Sequence, residues 1–152
     1  MNPPLRSKND CLAIKQGLKE GVIDAIASDH APHTENEKAI EFDRAEFGVI
    51  GLETLLSASV TELLHTNILT PEALIRALCV NPAKILGLQS GTLGEGKDAD
   101  IILVDLNKEW IVKKEHFFSK SKNSAFLGKT LKGVVEYTIV GGRLAYPVKE
   151  QK

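Results

Sequence analysis

The chain has 152 residues, 43% of them apolar and 26% charged, with a formal net charge of −1. That length supports one ordinary domain with a real core, and the near-zero charge speaks against a nucleic-acid or anionic-membrane surface. No apolar run approaches a membrane span and no secretory signal opens the chain, so a cytoplasmic location is expected.

The paired prolines of Asn2-Pro-Pro-Leu-Arg6 bar a helix and predict an extended segment. Ser7 then reads as an N-cap with Asp10 at N3. The helix that follows puts Cys11, Ile14 and Leu18 on one face and closes at Gly21. The apolar run 22–28 predicts a buried strand. The order of extended segment, helix and strand predicts a βαβ unit with parallel strands.

That strand would carry Asp29-His30-Ala31-Pro32-His33 at its C-terminal tip, where α/β folds keep their chemistry. Asp29 offers a hard oxygen ligand or a general base. A histidine offers a metal ligand, a proton carrier or an anion binder. Pro32 fixes one backbone angle between the two histidines. The same run also reads as an Asx-turn with two solvated histidines, and His30 reads as a structural hydrogen-bonder.

Residues 34–48 are polar without a period, which predicts a long loop or lid holding at most a short helical turn. A helix is expected over 52–65, with Leu55, Leu56, Ser59, Val60, Leu63 and Leu64 facing inward. Glu53 reads as an acid near that helix start. Thr70, Pro71 and Glu72 begin another helix. Asn81-Pro82 is expected to break it and to restart a short helix over 83–86, ended by Gly87. Cys79, like Cys11, lies in an apolar helical pattern at no metal spacing, and both are expected as buried reduced thiols.

After Gly91 the period changes to that of strands, expected over 99–105, 109–112, 134–140 and 143–146. Gly94 and Gly96 serve turns, and Gly141-Gly142 predicts a tight primed hairpin. The C-terminal third thus reads as a small antiparallel β unit. His65 and His116 lack partner motifs and read as surface residues. Lys113-Lys114 and Lys120-Ser121-Lys122 read as solvated faces or loops.

Together these pieces resemble the C-terminal part of dihydroorotase, in the amidohydrolase superfamily. The resemblance runs over nearly the whole chain. It rests on Asn2-Pro-Pro-Leu-Arg6, Asp29-His-Ala-Pro-His33, Gly48-Val-Ile-Gly-Leu-Glu53, Asn81-Pro-Ala-Lys84 before Gly87, Asn123-Ser-Ala-Phe126 and Gly141-Gly142. Gly91-Thr-Leu-Gly-Glu-Gly-Lys-Asp-Ala-Asp100 marks the superfamily alone, whereas the first two motifs narrow it to dihydroorotase. Ala125 stands where a proline is common.

The resemblance implies an α/β fold: the C-terminal part of a metal-dependent (β/α)8 barrel over 1–90, and part of an appended small β-sandwich over 91–152. Residues 22–28 would be the last barrel strand, and Asn2 would end the one before. It implies interconversion of N-carbamoyl-L-aspartate and dihydroorotate in pyrimidine biosynthesis, with zinc as cofactor. Asp29 would be the metal ligand and proton-accepting catalytic residue. Asn2, His33, Phe47 and Gly48 would contact the small-molecule substrate. A barrel needs typically ~250 residues, and the chain has no His-x-His pair, bridging carboxylate or substrate-pairing arginine. Activity is therefore expected only with an N-terminal half. Two alternatives share the motifs: a hydantoinase- or allantoinase-type cyclic amidase, and a non-catalytic dihydroorotase-like subunit held by a partner such as aspartate transcarbamoylase. Neither nucleic acid nor membrane is an expected partner.

Overall fold

In the computed structural model, which describes residues 1–147, helices start where capping chemistry asks for them. Helix α1 (Lys8–Glu20) is closed at its start by the Ser7–Asp10 capping box and at its end by Gly21 in the left-handed region. Helix α2 (Glu35–Lys38) is the short turn of the lid, and Thr34 with Glu37 forms a second capping box around it. Helix α3 (Leu55–Ser59) runs on as a π-helical turn over Val60–Leu64, starting three residues later than expected.

Helix α4 (Pro71–Ile75) begins at the Thr70 cap, continues as a π-helical turn over Arg76–Val80, and passes into α5 (Asn81–Ile85). The break expected at Asn81-Pro82 is absent. A proline ring collides with the carbonyl four residues back in a regular helix, and the widened turn before Pro82 moves that carbonyl aside.

The C-terminal part is an antiparallel sheet in the order β1-β2-β3, with β1 (Ile101–Ile111), β2 (Thr130–Val140) and β3 (Arg143–Tyr146). The two strands expected within β1 are one strand with an irregular register between Asp105 and Glu109. There the Asp105 carboxylate accepts from the backbone N–H groups of Asn107 and Lys108, at 2.9 and 3.0 Å. Such a side-chain turn competes with the ladder and interrupts it locally. The hairpin at Gly141-Gly142 has φ of 53° and 76°, as a primed turn requires.

Helix and sheet meet through small residues. A Cβ on Gly133 would lie 3.1 Å from three Val60 carbons, so only glycine lets β2 approach the π turn this closely. Val60 is fully buried. The Ser57 hydroxyl donates to the Gly133 carbonyl and accepts from Trp110 Nε1, while Thr61 Oγ1 accepts from the backbone N–H of Lys132. One apolar cluster joins Ile50, Val112, Phe117 and Leu131; another joins Val60, Leu63, Leu69 and Leu74.

The N-terminal segments differ from expectation. Residues 22–28 do not form a strand, and no parallel partner lies beside them among the described residues. They are stitched to the π turn instead, Ile26 N–H to the Ala77 carbonyl at 3.0 Å and Asn81 Nδ2 to the Asp24 carbonyl at 2.7 Å. Asn2–Arg6 is likewise non-helical but unladdered, so the βαβ unit is not formed within this chain. A strand needs a neighbour to take its backbone groups, and propensity alone does not supply one.

Helix α1 buries no residue: Cys11 and Ile14 are exposed, and only Leu18 packs against a core cluster. Cys79 is exposed on the π turn, although partial desolvation pushes its thiol pKa up. Both thiols therefore differ from the buried state expected. Lys113, Lys114 and Lys120 are exposed, but Lys122 is half-buried and donates to the Phe117 carbonyl at 2.6 Å, because it closes the loop around buried Ser121.

Candidate functional site

The Asp29–His33 motif leaves the 22–28 segment through a backbone reversal. Asp29 has φ of 44°, a left-handed conformation that asparagine and aspartate tolerate better than most residues, and its side chain is exposed. The next residue anchors the motif. His30 Nδ1 accepts from the backbone N–H groups of Gly51 and Leu52, at 3.2 and 3.4 Å. That fixes His30 as a structural hydrogen-bonder, as the sequence suggested, and puts its proton on Nε2 when neutral.

The lid then folds back on the motif. His30 and Val49 form an isolated parallel bridge, and Ala31 N–H donates to the Val49 carbonyl at 3.0 Å. The approach is close. A Cβ on Gly51 would stand 2.6 Å from the Ser28 carbonyl oxygen. One on Gly48 would stand 2.5 Å from Ala31 Cβ and 3.3 Å from His33 Nε2. With φ of 123° as well, Gly48 has no room and no conformation for a side chain. Two elements separated by the lid, His33 and Gly48, are thus neighbours, with the His33 ring occupying space that a side chain on Gly48 would need. Phe47, next to them, is 62% exposed.

His33 is half-buried, with Nδ1 3.9 Å from the Glu37 carboxylate. Bonds from the backbone and side chain of Thr34, with a smaller contribution from His33, hold Glu37 below its ordinary value of 4.5. Asn2 stands apart: it is exposed in the segment before α1, and its side chain has no hydrogen-bond partner among the described residues.

Three side chains hold this arrangement: Lys38 and Asn123, for which the sequence suggested no role, and Glu53, read as an acid near a helix start. Lys38, the last residue of α2, donates from Nζ to the carbonyls of Glu46 and Gly48. Asn123 Nδ2 donates to the same Gly48 carbonyl at 3.3 Å, and the Asn123 carbonyl accepts from Ile50 N–H at 2.9 Å. Glu53 accepts from the backbone N–H groups of Phe118 and Ser119, at 2.8 and 3.0 Å, so it clamps a loop rather than merely sitting near a helix start. The Thr34-x-x-Glu37 pattern could have placed the α2 turn, but nothing in the sequence tells what Lys38 at its end binds. Asn123 lies in a quoted motif, but nothing in the sequence tells what it binds.

His65 and His116 are exposed, as expected, though His65 Nε2 pairs with the Leu106 carbonyl at 2.8 Å. An open cleft of about 760 Å³ lies between residues 32–39 and 114–127; neither Asp29 nor Phe47 lines it. Among the described residues no three His, Cys, Asp or Glu side chains gather closely enough to hold a metal ion. A catalytic zinc takes typically about three protein ligands. Asp29 is a single carboxylate, and the residues present do not make a complete metal site by themselves.

The family model of the Amidohydrolase family matches residues 2–145. The chain belongs to that family. It is similar to a dihydroorotase of Elusimicrobium minutum, 54% identical over 144 residues, and to one of Caldanaerobacter subterraneus, 50% identical over the same length; each match covers 95% of this chain and 33% of the relative. Among solved structures, this amidohydrolase chain resembles an L-hydantoinase of Arthrobacter aurescens, with a TM-score of 0.88 and 34% identity over 93% of the chain and 33% of that structure. A D-hydantoinase from Thermus gives a TM-score of 0.89 at 25% identity, over 95% of the chain and 33% of that structure. The fold is therefore that of the amidohydrolases, α/β with a small sheet. By family this is amidohydrolase sequence, and about half of its residues are identical to those of the two dihydroorotases over the matched length. It spans about a third of the length of the relatives it matches. No helix among the described residues is long and apolar enough to cross a membrane.

Proposed function

We propose that this chain is the C-terminal portion of a zinc-dependent dihydroorotase that interconverts N-carbamoyl-L-aspartate and dihydroorotate in cytoplasmic pyrimidine biosynthesis. In this reading residues 1–90 complete a (β/α)8 barrel and residues 91–152 form part of a small β-sandwich. The N-terminal portion covers the faces that α1 and the 22–28 segment leave open, and it supplies the other ligands of a zinc site to which Asp29 gives one carboxylate. Alone, the chain is inactive.

The residues divide the work by chemistry. In ring opening, the Asp29 carboxylate accepts the proton of the attacking water and hands it to the ring nitrogen as the amide C–N bond breaks. His33 binds the substrate carboxylate, Asn2 is a further substrate contact, and the backbone of Phe47 and Gly48 closes over the ring. The nearness of His33 to Gly48 carries the reading, since it brings together two of the proposed substrate-binding elements. The hydantoinase-like structural neighbours offer the same scaffold for another cyclic amide. The higher identity to dihydroorotases, 54% against 34%, favours dihydroorotate.

The test mixes the purified chain with a separately produced N-terminal portion of a dihydroorotase relative and zinc, and follows dihydroorotate opening. Turnover by the mixture and by neither part alone is expected. No turnover with both parts folded and associated, or turnover of hydantoin with none of dihydroorotate, overturns the proposal.

A further inference from the structure

The lid contains a strap that the family motifs do not describe. Thr34 and Glu37 cap α2 from both sides. One helical turn therefore separates His33, just before the cap, from Lys38 at its end. The Lys38 ammonium donates to the carbonyls of Glu46 and Gly48, the two backbone acceptors that bracket Phe47. Asn123 donates to the Gly48 carbonyl from the C-terminal part of the chain.

We propose that Lys38 is a positioning residue for substrate binding: by strapping the Glu46 and Gly48 carbonyls it fixes the Glu46–Phe47 and Gly48–Val49 peptides, and so holds Phe47 and Gly48 between them beside His33. This rests on the reading that His33 and Phe47–Gly48 meet the substrate. Three points carry it. First, Gly48 has φ of 123° and a fit with no space for a Cβ, so its peptide needs external anchors to hold one orientation. Second, two donors converge on its single carbonyl, one from the lid and one from the loop before β2. A planar trans peptide held at its oxygen is fixed as a plane, so the Gly48–Val49 peptide is pinned at this carbonyl and the Glu46–Phe47 peptide at the other. Third, Lys38 is half-buried against the segment it binds, so its ammonium is not a freely solvated surface charge. Hydrogen bonds from a charged donor are among the stronger ones.

Lys38→Met removes the ammonium and keeps the apolar stem. Lys38→Arg keeps a charged donor. Amide hydrogen exchange of the 152-residue chain reads the strap directly, without a substrate. In K38M, exchange at Glu46 and Ile50, the residues of 46–50 whose N–H groups are bonded, is expected to rise on the order of tenfold, with α1 and the β1–β2 ladder unchanged; K38R restores at least part of the protection. In the complemented enzyme, K38M is expected to raise KM for dihydroorotate about tenfold and to leave kcat within about threefold, since it mispositions a binding element without touching Asp29. Unchanged exchange at Glu46 and Ile50 overturns the strap. Faster exchange with an unchanged KM overturns its role in substrate binding. If the wild-type mixture turns over nothing, the functional reading falls and the substrate role falls with it, while the exchange result still decides the strap.

Discussion

The chain has two regions that contrast in how they are held. Residues 50–131 own the two apolar clusters, and small residues let helix and sheet interlock at Gly133 and Val60. Residues 1–33, which carry the first two motifs, own almost no core. Helix α1 buries nothing, Leu12 is 63% exposed, Val22 is also exposed, and the 22–28 segment has backbone stitches in place of a ladder. Local signals such as caps and glycines are met in both regions. Burial is met in only one. The residues proposed for the site in this stretch, Asn2, Asp29 and His33, therefore sit on chain that the rest of this molecule positions but does not enclose.

The sharpest way to break this comparison is at Asp29. In the complemented enzyme Asp29→Asn is expected to lower kcat by about 10³-fold or more, because it removes a proton carrier and an anionic ligand together. It is expected to leave the thermal midpoint of the chain alone unchanged, since the side chain is exposed. A variant that melts early, or that keeps near-normal turnover, would place Asp29 with the scaffold instead.

The next comparison sets two leucines side by side. Leu131 is buried in the cluster with Val112 and Phe117, so Leu131→Ala is expected to destabilise the chain by about 2–4 kcal/mol. Leu12→Ala on α1 is expected to change stability by less than about 0.5 kcal/mol. Urea unfolding of both variants checks this. Equal losses would mean that α1 is packed in solution.

Glu53 links the lid end to the C-terminal loop. Glu53→Ala strands the N–H groups of Phe118 and Ser119 and is expected to cost about 1 kcal/mol, with faster amide exchange at those two positions. Glu53→Gln keeps one acceptor and should lose less.

The smallest effect is at the lid cap. Glu37 is held below its ordinary value by bonds from Thr34, so the folded form prefers the carboxylate. The contribution is present above the unfolded value of 4.5 and is lost as pH falls through the depressed folded value. An NMR titration of the Glu37 carboxyl should show a midpoint below 4.5, and Thr34→Val should move it back up. A midpoint indifferent to Thr34→Val would deny the capping box.

Much of the fold was legible in the sequence because it is local. Ser7 and Asp10, Thr70 and Pro71, and Gly141-Gly142 each dictate backbone geometry within a few residues, and the structure follows them. The site was legible in part, with His30 readable as an anchor. Lys38 and Asn123 were not, since a hydrogen bond from a side chain to a backbone carbonyl leaves no pattern in either residue. The sequence by itself determined the caps, the turns, the strand-rich C-terminal part and the family motifs, because each depends on steric preferences of neighbouring residues. Only the tertiary structure decided that 22–28 is stitched to a π turn rather than laddered, that Pro82 sits inside a continuous helix, and that His33 lies beside Gly48. Those outcomes depend on which distant groups are present to satisfy backbone donors and acceptors, and no local preference specifies that.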